Sequence, residues 1–134
     1  MTHVPIMLID DDFTFYEIFR HQVRYALNDQ DVEIEYYNNA VNALECLKKR
    51  PAVVQYIFID INLPVMNGWE FLSKIKDNYD LISKVKLFMI TGSPFEYQEY
   101  QKVSYDFIED FLHKPITREQ LTELLGDQQE RIAS

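Results

Sequence analysis

Five side chains in this sequence have the types and the spacing to do chemistry together, and each directly follows an apolar run. Asp10 and Asp11 close "IMLIDDD", Asp60 closes "YIFID", Thr91 follows "FMI", and Lys114 follows "FLH". Taken alone, Asp60 could be a cap that accepts hydrogen bonds from loop amides. A carboxylate at the end of a buried strand can equally be a held reactive group, because burying an unpaired charge is costly. Three carboxylates brought close repel one another unless a cation sits among them, and Mg²⁺ suits such a set because it takes hard oxygen ligands. A hydroxyl and an ammonium opposite could then receive the oxygens of a phosphoryl group.

The chain must supply elements that bring these residues together. Short apolar runs alternate with segments of helical period, the pattern of a parallel sheet covered by helices on both faces. Strands are expected at Val4–Ile9, Val32–Tyr37, Tyr56–Ile59, Lys86–Ile90 and Asp110–His113. Helices are expected at about Phe13–Asn28, Ala40–Lys49, Gly68–Asn78, Phe95–Tyr105 and Arg118–Gly126, with Asn39, Asn67 and Thr117 as N-caps. On the second helix Val41, Leu44 and Leu47 or Lys48 should face inward, and Cys46 should be a buried thiol. The fold class is therefore α/β, a doubly wound five-stranded parallel sheet with five helices. Ligands of such sheets lie at the carboxyl ends of the strands where the winding reverses, and strand order 2-1-3-4-5 places all five residues on one rim.

Composition narrows the function. With 134 residues, 47% hydrophobic, the chain fits one compact domain with a real core. Its net charge of -9 disfavours direct binding to nucleic acid, which needs clustered Lys and Arg. One cysteine excludes a disulfide framework, and no apolar run approaches membrane-spanning length, so a cytoplasmic chain is expected. His3, His21 and His113 show no metal spacing.

The motifs "IMLIDDD", "FIDINLPVMNGWEF", "MITGS" and "FLHKP", in this order, resemble a response-regulator receiver domain, the phospho-acceptor module of two-component signalling. The resemblance runs from Val4 to about Leu125 and implies a flavodoxin-like receiver fold. By position it makes Asp10 and Asp11 the acidic pair, Asp60 the phosphorylated nucleophile, Thr91 the switch hydroxyl, Lys114 the cation that contacts the phosphoryl group, and Phe111 the aromatic switch. It implies Mg²⁺, with Mn²⁺ as a substitute, held by Asp11, Asp60 and the backbone carbonyl of Asn62 in the acidic pocket that Asp10 completes. Asp12 lies just outside this set. It also implies a cis Lys114-Pro115 bond and roles for Asn62 and Ser93 in tuning hydrolysis. The partners implied are a histidine kinase or histidine phosphotransfer protein and a downstream protein target. The chain would catalyse its own phosphotransfer and dephosphorylation without being a conventional enzyme.

On this reading residues 1–126 form the receiver, residues 127–134 a short polar tail, and no output domain follows. Output through protein contacts is then expected on the face of the fourth helix, fifth strand and fifth helix, where Phe95, Tyr97, Tyr100 and Tyr105 either pack or form a partner surface. Two features depart from the family: Phe107-Ile108 replaces the usual Gly-Ala pair, and the stretch from Asp11 to Asp60 is slightly long. Phe111 lacks a tyrosine's hydroxyl and can equally be core. Two other functions compete. A Mg²⁺-dependent aspartyl phosphatase would need a second acid at position 62, where Asn stands, and a phosphorylation-independent binding module should have lost a member of the acidic set.

Overall fold

A computed structural model describes residues 3–28, 31–50, 54–77, 84–92 and 107–126. The element order is β1 (His3–Ile9), α1 (Phe13–Ala26), β2 (Asp31–Tyr37), α2 (Ala40–Lys49), β3 (Tyr56–Asp60), α3 (Gly68–Lys76), β4 (Lys86–Thr91), β5 (Ile108–His113) and α4 (Arg118–Leu125). All strand pairs are parallel, and the sheet order is β2-β1-β3-β4-β5, as the alternation of the sequence predicts. Four helices lie among the described residues. The helix expected at Phe95–Tyr105 falls outside them, as do Ser93 and the four aromatic residues of that segment.

The sheet has two apolar faces because each buried strand sends alternate side chains to opposite sides. Val4, Ile6, Leu8, Tyr56, Phe58, Phe88 and Ile90 face α1 and α4, whereas Met7, Ile9, Ile57, Ile59, Leu87 and Met89 face α2 and α3. Phe58 is the centre of the first layer, with Phe88 stacked at 4.9 Å and Phe19 edge-on at 5.0 Å. The strands that carry Asp60 and Thr91 are thus the most buried and the most constrained.

The caps fall where the sequence puts them. Asn39, Asn67 and Thr117 each accept from a backbone amide of the first helical turn, and the last two complete capping boxes with Glu70 and Gln120. Two expectations about α2 need correction. Its buried residues are Ala40, Ala43, Leu44 and Leu47, so Ala43 rather than Val41 takes the inward position. Cys46 is only half-buried, because its sulfur lies at the rim beside Arg50 Nη2 at 3.0 Å and Glu35 at 3.6 Å. The Phe107-Ile108 departure also has a structural form: β5 starts two residues earlier than expected. Leu87 pairs with Ile108 and Phe88 with Asp110, so Glu109 is an extra residue in the ladder.

Two positions after β3 are under backbone constraint. Val65 sits at φ 68° and is 92% exposed, bracketed by a hydrogen bond from the Met66 amide to the Pro64 carbonyl at 2.8 Å. A β-branched residue is strained there. Gly68 starts α3 so close to β3 that an added Cβ would lie 2.9 Å from the Asp60 carbonyl oxygen and 2.9 Å from Met89 Cε. Gly68→Ala should therefore destabilise the fold by about 1–3 kcal/mol, and Val65→Asn should stabilise it by about 1 kcal/mol, read from urea unfolding midpoints.

Candidate functional site

The carboxyl ends of β1, β3 and β5 converge as the sheet order requires. Asp10 follows β1 and is held by its own amide, which donates to the Tyr37 carbonyl at 3.0 Å. Asp60 is the last residue of β3, its Oδ1 accepting from the Asn62 amide at 2.9 Å. Lys114 follows β5, and its amide donates to the Thr91 carbonyl at 2.9 Å, tying it to the end of β4. The Lys114-Pro115 bond is cis.

One ammonium bridges two carboxylates at this point. Lys114 Nζ lies 2.8 Å from Asp10 Oδ2 and 3.1 Å from Asp60 Oδ2. The Asp60 contact is a directed hydrogen bond. The Asp10 contact is an ion pair by distance, but Oδ2 of Asp10 is fully buried and receives no well-directed hydrogen bond. Nζ also lies 4.5 Å above the Phe15 ring, which shields it from one side. Asp11 is exposed at the mouth, and one oxygen from each of Asp10, Asp11 and Asp60 falls within 4.8 Å of the others. Three carboxylates against one ammonium leave the pocket short of positive charge, and Asp10 Oδ2, paired with Lys114 but without a well-directed hydrogen bond, can still face a cation. The residues present fit a small hard cation.

The three consecutive acids have three different tasks. Asp10 accepts from the Asp12 amide at 2.8 Å, Asp11 points to the mouth, and Asp12 caps α1 by accepting from the Phe15 amide at 3.2 Å. This cap is not among those expected at Asn39, Asn67 and Thr117. The signal was present, since Asp12 precedes the inward series Phe15, Phe19 and Val23 at helical spacing.

Burial dominates the titration of Asp10, pushing its pKa up to about 6, against the opposing Lys114 contact and Asp12 amide and with the Asp60 charge adding to the rise. For Lys114 burial works toward a lower value, yet the bonds and charges of Asp10 and Asp60 outweigh it and hold the ammonium above its ordinary range. Thr91 is fully buried at the end of β4. Phe111 is half-buried and lies against Trp69 at 6.0 Å between ring centres. Thus Asp10, Asp11, Asp60 and Lys114 meet directly, Thr91 joins them through the Lys114 backbone, and Phe111 belongs to the adjoining apolar layer.

Residues 6–126 match the family described as response regulator receiver domain. The chain belongs to that family. It is similar to the autoinducer 1 sensor kinase/phosphatase LuxN of Vibrio campbellii, 31% identical over 123 residues, which are 92% of this chain but 13% of that protein. A two component response regulator from Cytophaga hutchinsonii is similar in structure, with TM-score 0.76 and 25% identity over 92% of this chain and 94% of that one. The chemotaxis protein CheY4 of Vibrio cholerae matches with TM-score 0.67 and 26% identity, covering 94% and 98% of the two chains. The chain is therefore a receiver domain of the two-component signalling type. Among the described residues no helix is long and apolar enough to cross a membrane.

The raised Asp10 value has a consequence for stability. A carboxyl that titrates near 6 when folded and near 3.8 when unfolded costs stability above pH 6 and nothing below pH 4. In chelator, Asp10→Asn should be more stable than the wild type at pH 8, by about 1–3 kcal/mol, and the advantage should vanish as the pH falls from 6 to 4. Urea unfolding across that range measures it.

Proposed function

We propose that this receiver accepts a phosphoryl group on Asp60 from a histidine kinase or histidine phosphotransfer protein in a Mg²⁺-dependent reaction. The observation that carries this reading is the shared contact of Lys114 Nζ with Asp60 and Asp10 beside the exposed Asp11, at 3.1 and 2.8 Å. The placement of Asp60 supports it as the reactive member. It ends the most buried strand, and the Asn62 amide fixes one oxygen while Lys114 fixes the other. A nucleophile so restrained meets the geometric demand of in-line displacement.

In the transfer, a carboxylate oxygen of Asp60 forms a bond to phosphorus as the P–N bond of the donor's phosphohistidine breaks, and the imidazole leaves. Asp11, Asp60 and the Asn62 carbonyl would hold Mg²⁺ in the pocket that Asp10 completes. Mg²⁺, or Mn²⁺ in its place, supplies charge neutralisation on the transferring oxygens when bound. Lys114 then serves a second acceptor, since an ammonium that bridges two carboxylates can turn to phosphoryl oxygens without leaving the pocket. Thr91 supplies the hydroxyl for another of them. Attack of water on phosphorus later returns the carboxylate and inorganic phosphate, which makes the receiver catalytic toward its own acyl phosphate. We place this exchange in the cytoplasm, the compartment that a lone thiol suits. Its output runs through protein contacts with a downstream target.

Acetyl phosphate with Mg²⁺ should add one phosphoryl group to the intact mass, and Asp60→Asn should abolish the gain. Lys114→Ala should slow the transfer by roughly tenfold or more while leaving Asp60 modifiable. A gain that persists in Asp60→Asn, or that needs no divalent cation, would contradict the reading.

A further inference from the structure

Trp69 is the single tryptophan of the chain and takes no part in the acidic pocket, yet the packing connects it closely to Asp60. The Gly68 amide donates to the Ile61 carbonyl at 2.9 Å, and the Gly68 Cα approaches the Asp60 carbonyl and Met89 Cε with no room for a methyl group. Trp69 follows at once, in a helical turn whose start is fixed by the Asn67–Glu70 capping box. Its indole therefore projects from a backbone that cannot shift independently of β3. The indole lies against Phe111 with ring centres 6.0 Å apart and planes tilted by 38°. Phe111 is the cross-strand neighbour of Met89, the residue that also touches Gly68. Thr91 follows Met89 by two on the same strand, so both point to the side of the sheet where Trp69 and Phe111 pack.

We propose that Trp69 is the positioning residue for Phe111, an aromatic arm from the backbone behind Asp60 that couples occupancy of the acceptor to the placement of β5. The proposal rests on Asp60 as acceptor and goes beyond it by naming the partner of Phe111. A ring packed into such a layer has discrete placements rather than a continuum, because packed layers resist graded deformation. Whatever binds Asp60 and favours one placement must, by linkage, be bound differently when the contact that sets the placement is removed.

The test uses Mg²⁺ and beryllofluoride, with the ¹⁹F resonance of bound beryllofluoride reporting occupancy independently of tryptophan. In the wild type, occupancy should change Trp69 emission. In Phe111→Leu the bound resonance should persist while the emission change falls by more than about half. Trp69→Ala should change beryllofluoride affinity by roughly threefold or more, and Trp69→Phe should restore it to within about twofold, a rescue that general loss of packing does not give. A bound resonance with unchanged emission in the wild type, an undiminished response in Phe111→Leu, or wild-type affinity in Trp69→Ala would overturn the coupling. No bound resonance in the wild type would overturn the acceptor reading itself, and the coupling with it.

Discussion

One ammonium among three carboxylates is the constraint on which the rest of this structure depends. Lys114 comes from the end of β5, Asp10 from β1 and Asp60 from β3, so their 2.8 and 3.1 Å contacts require all three strand ends to coincide. Strand order, the bond from the Lys114 amide to the Thr91 carbonyl and the capped start of α1 all serve that coincidence. The charges do not balance, and the excess is expressed where it costs most, on fully buried Asp10. A site that is unfavourable when empty gains most from a bound cation.

The tightness behind Asp60 has the same logic. Gly68 lets α3 approach β3 as closely as two backbones can, and Val65 tolerates a left-handed conformation that suits its side chain poorly. Both lie in the loop that leads away from Asp60. Stability is given up there to hold a short connection between Asp60 and α3, and that connection is what places Trp69 against Phe111.

Much of this was legible in the sequence, for identifiable reasons. Continuous apolar runs such as Tyr56–Ile59 can only be central strands, and the order of their polar endings fixes which residues share a rim. Asn39, Asn67 and Thr117 were readable as caps because capping is local chemistry. The errors came from nonlocal geometry. Cys46 is only half-buried, beside Arg50 at the end of its own helix and Glu35 on β2, and the buried face of α2 runs through Ala40, Ala43, Leu44 and Leu47 rather than Val41. Asp12 stands among three like residues, and only the inward series Phe15, Phe19 and Val23 that starts three residues on marks it as the cap. The extra residue at Glu109 and the Trp69–Phe111 contact depend on register, which pattern alone does not encode.

The central claim is that Asp11, Asp60 and the pocket completed by Asp10 take one divalent cation in the position that activates Asp60. Crystals soaked in Mn²⁺ and measured at its absorption edge locate that cation directly. The account requires a single strong anomalous peak touching carboxylate oxygens of Asp11 and Asp60, with Lys114 Nζ turned away from the ion. A peak elsewhere on the surface, or none at saturating Mn²⁺ with the carboxylates ordered, would contradict it.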